Sequence, residues 1–131
     1  MPPVSKVTGP SEPKRPTVLF VDDDDDQLAF YEMLFAAAPV FVITAPSGLH
    51  ALQILRAEKV HLVVSDFAML GMDGVSLLRE VGRLYPLAGR ILLTGDADSE
   101  LVLDSPCRVL TKGMDSGLIQ RAILREAHRH V

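Results

Sequence analysis

The chain has 131 residues and a formal net charge of −4 at pH 7, with 48% hydrophobic and 23% charged residues. That is the length of one domain, too apolar for disorder and too acidic for a general nucleic-acid binder, which must first neutralise phosphates with Lys and Arg. One cysteine excludes an internal disulfide, no apolar run approaches the ~18 residues of a membrane span, and the first residues lack a signal-peptide pattern, so a cytoplasmic location is expected.

Five of the nine prolines fall in the first sixteen residues, at Pro2, Pro3, Pro10, Pro13 and Pro16. Proline fixes φ and removes a backbone donor, so residues 1–16 read as an extended tail and residues 17–131 as the domain. Thr17–Val21 is a β-favouring apolar run, and Leu28–Ala38 is rich in helix formers and stops at Pro39. Val40–Thr44 is a second strand. Ser47 can cap a helix over Gly48–Ala57, with Leu49, Leu52 and Leu55 along one side. His61–Ser65 is a third strand, and Gly74–Tyr85 has helical spacing ended by Pro86. Arg90–Thr94 is a fourth strand. A short helix is expected over Ala97–Leu103, cut off by Ser105-Pro106. Cys107–Leu110 is a fifth strand, and Asp115–His130 is a last helix with Leu118, Ile119, Ala122 and Ile123 facing inward.

Strands that are continuous apolar runs need both faces covered, which means a parallel sheet with helices on each side. The expected fold is therefore α/β: a flavodoxin-like three-layer sandwich with a five-stranded parallel sheet of order 2-1-3-4-5. Ligands of such sheets bind beyond the carboxyl ends of the strands.

The polar residues at those ends carry the chemistry. The first strand ends in Asp22-Asp23, within a run of aspartates to Asp26. The third ends in Asp66, the fourth in Thr94, and Lys112 follows the fifth. A parallel sheet projects all of these from one edge. Three carboxylates would repel one another, and a divalent cation resolves the conflict; oxygen ligands with room for water suit Mg²⁺. Carboxylate-held Mg²⁺ beside Lys and Thr is equipment for phosphoryl transfer. One aspartate must then be the nucleophile. Asp24 to Asp26 read as solvated residues or helix caps.

These motifs resemble the receiver domain of two-component response regulators over residues 17–130. VLFVDD (18–23) matches the acidic pair of the first strand, and APSGLHAL (45–52) the start of the second helix. DFAMLGMDG (66–74) matches the family's D-x-x-M-P-x-M-D-G loop, ILLTG (91–95) its fourth strand and VLTKG (109–113) its lysine segment. The resemblance implies that Asp66 accepts a phosphoryl group from a histidine kinase or histidine phosphotransfer protein. It implies that Asp23, Asp66 and the Ala68 carbonyl bind Mg²⁺ directly and Asp22 through water. Thr94 and Lys112 would contact phosphoryl oxygens, and Ala68 and Asp96 would flank the hydrolytic water and tune the phosphoryl lifetime. The chain would be a signalling phosphoacceptor rather than an enzyme. It would act on an unidentified protein target by contact or onward phosphotransfer, with no nucleic-acid or membrane partner.

Four positions depart from the pattern. Leu70 replaces the loop proline, which should loosen the loop. Gly113 replaces the proline after the lysine, so a trans Lys112–Gly113 bond and a rebuilt loop are expected, because a non-proline cis bond costs ~2.5–4 kcal/mol. Val109 stands where an aromatic usually reports phosphorylation. The short segment from Gly95 to Pro106 abbreviates the family's usual output face. Two alternatives stay open: a receiver-like interaction module working without phosphorylation, and a small phosphatase whose nucleophile lies in Asp22-x-Asp24. The histidines are scattered, Cys107 should pack as a small apolar residue, and Arg121, Arg125 and Arg129 form a stripe expected to be a solvated face.

Overall fold

Each strand alternates side chains between two apolar faces, and this places the core. The structure, a computed structural model, describes residues 15–95 and 107–131. In chain order the described elements are β1 (Thr17–Val21), α1 (Asp25–Leu34), β2 (Phe41–Ala45), α2 (Gly48–Ala57), β3 (Leu62–Ser65), α3 (Gly74–Leu84), β4 (Gly89–Thr94), β5 (Arg108–Thr111) and α4 (Ser116–Arg129). The sheet is parallel throughout, in the order β2-β1-β3-β4-β5. This is the expected 2-1-3-4-5 topology. The expected short helix over 97–103 and Asp96 lie outside the described residues.

Val18 and Phe20 of β1, with Val64 and Leu93, face α1 and α4 and pack on Tyr31, Phe35 and Ile123. Leu19 and Val21, with Val63 and Leu92, face α2 and α3 and pack on Leu55, Leu78 and Val81. Burying such a side chain stabilises the fold by about 1.5–3 kcal/mol, and the inner strands β1, β3 and β4 are buried on both faces. Gly89 starts β4 where an added Cβ would lie 2.6 Å from the His130 ring, so only glycine fits there without a shift.

Several boundaries differ from the sequence reading for local reasons. α1 begins at Asp25, because the Asp24 side chain accepts the Asp26 N–H and caps the helix. It ends at Leu34 rather than at Ala38: the Phe35 N–H closes back on Tyr31, and buried Phe35 plugs the core instead of continuing the helix. β2, β3 and β5 each start one residue later than read, and β4 one residue earlier. Leu49 is 69% exposed and not on the buried side of α2, which is formed by Gly48, Ala51 and Leu55. Three residues fall about 60° short of a turn at 3.6 residues per turn, so a 49–52–55 series spirals out of the core. Leu118, 46% exposed, is likewise off the buried side of α4, which Ile119, Ile123 and Ala127 form. Cys107 packs beside the α2–α3 cluster as a small apolar residue.

Candidate functional site

Three backbone hydrogen bonds extend the ladder past the strand ends and fix the polar residues. The Asp22 N–H donates to Ala45, the Asp66 N–H to Val21 and the Lys112 N–H to Thr94, at 3.1, 2.9 and 2.8 Å. Asp22, Asp66, Thr94 and Lys112 therefore meet at the carboxyl edge, as the strand-end reading expects. Asp23 joins them one residue further along. Carboxylate oxygens of Asp22, Asp23 and Asp66 lie within 4.8 Å of one another.

Lys112 bridges two of the acids, with its Nζ 3.3 Å from Asp22 Oδ2 and 3.1 Å from Asp66 Oδ1. Asp22 is only 1% exposed, and its other oxygen accepts the Asp24 N–H at 3.0 Å. Asp23 accepts the Leu70 N–H on Oδ2 at 3.1 Å. Among the described residues, Asp23 Oδ1 and Asp66 Oδ2 are left without a partner, while both Asp22 oxygens are engaged. Burial pushes the Asp22 carboxyl above its usual range, against the Asp24 amide and Lys112, which favour the ionised form. Burial alone would lower the Lys112 ammonium, but its hydrogen bond to Asp66 and the charges of Asp22 and Asp66 raise it. Lys112 therefore stays charged.

The charges do not balance. Three carboxylates face one ammonium, leaving a net −2 if all are ionised. An oxygen-only donor set with two unpartnered carboxylate oxygens suits a hard divalent cation that keeps part of its water shell. Asp23 and Asp66 each offer an oxygen that such a cation could take, while both Asp22 oxygens are engaged within the chain. Ala68 lies exposed in the loop that carries Asp66. Thr94 is buried at the end of β4.

The departures from the family pattern resolve as follows. The Lys112–Gly113 bond is trans, since no cis peptide occurs among the described residues. The turn after it is rebuilt with the Gly113 N–H on Thr111 Oγ1 and the Met114 N–H on the Thr111 carbonyl, and Lys112 still reaches both acids. Val109 packs partly buried against the α2–α3 cluster. At Leu70 the structure adds a contact: the position is tied to Asp23 through the very N–H that proline lacks.

Two contributors were missed in the sequence. A Cβ on Gly74 would lie 2.0 Å from the Asp66 carbonyl oxygen, so glycine alone lets α3 start against the Asp66 backbone. The Asp73 cap, which accepts the Ser76 N–H at 2.8 Å, fixes that start; the Asp-Gly pair before an apolar helical pattern was the available signal. Tyr31, stacked on Phe20 at 4.8 Å, is held protonated by burial and by Asp22, Asp66 and Asp24. It forms a wall of a hollow of about 340 Å³ beside Lys112, lined also by Phe30, Met114 and Ile119. Nothing in the sequence distinguishes Tyr31 from an ordinary core aromatic.

The response regulator receiver domain family model matches residues 18–124. The chain is 39% identical over 77 residues to the transcriptional regulatory protein GlrR of Escherichia coli K12, spanning 59% of this chain and 17% of GlrR. It is 31% identical over 116 residues to the autoinducer 1 sensor kinase/phosphatase LuxN of Vibrio harveyi, spanning 88% of this chain and 13% of LuxN. The signal receiver domain of an HD domain-containing protein from Pseudomonas fluorescens Pf-5 superposes with a TM-score of 0.82 at 34% identity, covering 89% of this chain and 97% of that one. The family model covers most of the chain, and the chain's five-stranded parallel sheet has the order 2-1-3-4-5: the chain belongs to the response regulator receiver domain family.

Proposed function

We propose that the chain is a Mg²⁺-dependent phosphoacceptor of a two-component phosphorelay, with Asp66 as the acceptor. The observation that carries this reading is Asp66 itself. One of its oxygens is held by Lys112 at 3.1 Å, the other is unpartnered among the described residues, and a carboxylate oxygen of Asp66 lies within 4.8 Å of one from Asp23. The Asp66 carboxylate attacks the phosphorus of a phosphohistidine on a histidine kinase or phosphotransfer protein. A P–O bond forms, the P–N bond breaks, and the imidazole leaves with the electron pair and takes up a proton. Bound Mg²⁺ supplies charge neutralisation for the transferring phosphoryl oxygens. Lys112, released from Asp66 as that carboxylate becomes an acyl phosphate, turns its ammonium to the same oxygens. Thr94 donates its hydroxyl to them.

The apolar hollow beside Lys112 gives the phosphodonor a surface to rest on within reach of Asp66. Ala68 and Asp96 tune how long the acyl phosphate survives. Output passes to a protein target by contact or by onward phosphotransfer in the cytoplasm, and the domain catalyses nothing beyond its own phosphorylation and dephosphorylation. The test is intact mass after incubation with acetyl phosphate and Mg²⁺, followed by mapping of the label. One phosphoryl group on Asp66, absent from Asp66→Asn with the fold retained, is expected. Labelling of the Asn variant at the normal rate would sink the assignment, and label at Asp22 would mark a phosphatase-like nucleophile instead.

A further inference from the structure

Leu70 presents a contradiction between its side chain and its backbone. The side chain is 85% exposed and adds nothing to the core. The backbone N–H points the other way and donates to Asp23 Oδ2 at 3.1 Å, across 47 residues of sequence. Gly71 follows with φ of +79°, in the left-handed region that glycine adopts without strain, and this lets the turn face the Leu70 amide toward the acids. What position 70 supplies to the molecule is therefore its N–H. Proline, the residue that the family pattern has here, could not supply it.

We infer that the Leu70 amide is a positioning group for the cation ligand Asp23, and so sets the Mg²⁺ affinity of this chain. The inference rests on the proposed function for the identity of the cation, and on the hydrogen bond alone for the role of Leu70. An amide donating to a carboxylate makes a charge-assisted bond, stronger than a neutral one. It occupies one Asp23 oxygen and leaves Oδ1 for a cation, with the carboxylate already held in one orientation. Asp22 is held by the Asp24 amide and Lys112, and Asp66 by Lys112. Without Leu70, Asp23 would be the one member of the cluster held by nothing among the described residues. A ligand held beforehand loses less freedom when the cation arrives, and removing such a supporting partner from metal sites typically weakens binding by about 10–100-fold. A Mg²⁺ held by so few protein ligands would keep much of its water, so the low end applies.

Two substitutions separate the backbone from the side chain. Leu70→Pro removes the N–H, and Leu70→Ala keeps it. Mg²⁺ titrations of the full chain should show about tenfold weaker binding for Leu70→Pro and unchanged binding for Leu70→Ala. Unchanged or tighter binding in Leu70→Pro overturns the inference. Equal loss in both variants also overturns it, because the side chain would then be responsible. A second measurement needs neither a folded proline variant nor a cation: amide hydrogen exchange at Leu70 in the Mg²⁺-free chain. Asp23→Ala should speed that exchange severalfold, and an unchanged rate refutes the hydrogen bond. Failure of the unsubstituted chain to bind Mg²⁺ at all would strike the proposed function, while the exchange result would still judge the hydrogen bond.

Discussion

The two ends of the sheet use charged residues to opposite effect. At the amino end of β5, Glu126 of α4 lies 3.5 Å from Arg108, 3.3 Å from Arg129 and 3.1 Å from His130. His130 also bonds the Leu87 carbonyl, and His61 accepts the Thr17 N–H at 2.9 Å, so these groups are engaged with neighbours inside the chain. At the carboxyl end, three acids share one lysine, and two carboxylate oxygens have no partner among the described residues. The first arrangement fastens α4 to the sheet. The second keeps like charges together. A fold held by the rest of its core can carry such a locally unfavourable cluster, and that is where function sits.

The sharpest way to break the carboxyl end is through its backbone. Gly74→Ala drives a methyl group into the Asp66 carbonyl, and a destabilisation of about 3 kcal/mol or more is expected in a denaturant melt, with slowed phosphorylation in whatever folds. Asp23→Asn should weaken Mg²⁺ about tenfold or more and slow phosphorylation by small phosphodonors, with little change in melting; calorimetric titration checks this, and unchanged affinity would remove Asp23 from direct contact with the cation. At the amino end, Glu126→Gln should cost about 1–2 kcal/mol, between the values for exposed and buried ion pairs, while the rate of phosphorylation stays the same.

The smallest effect has the opposite sign. Burial holds the Asp22 carboxyl above its ordinary value of 3.8. The folded chain keeps that proton over a pH window in which the unfolded chain has lost it. The stabilising contribution is present in full below 3.8 and disappears as the pH rises through the raised folded value. Asparagine cannot ionise, so Asp22→Asn should stabilise the Mg²⁺-free domain by about 1 kcal/mol near neutral pH and by little in acid. Melting curves at several pH values measure it. Destabilisation at neutral pH would show that the contacts with Lys112 and the Asp24 amide outweigh the burial of the charge. Opposite signs for Asp22→Asn and Glu126→Gln would confirm that the two ends differ in kind.

Part of this contrast was legible in the residues. Asp22, Asp23, Asp66, Thr94 and Lys112 each follow or end an apolar strand, and parallel strands must bring those ends to one edge. The amino-end cluster was not legible, because Glu126, Arg108 and His130 belong to a helix face and a strand start whose mutual rotation no local pattern encodes. The trans bond at Gly113 followed from the cost of its alternative. The contact made by Leu70 was not legible, since a missing proline frees an amide whose acceptor only the fold supplies.

The sequence by itself determined the strand and helix alternation, the parallel sheet and the identity of the five converging side chains, because these depend on periodicity and on order along the chain. Only the tertiary structure decided which oxygens are already taken. Whether a carboxylate is free depends on donors that arrive from elsewhere in the chain: the Asp24 amide, the Lys112 ammonium from 90 residues away and the Leu70 amide from 47. Backbone donors carry no residue identity, so no reading of residue types could have assigned them. Their directions are set only when β3, its loop and Gly71 are folded against β1.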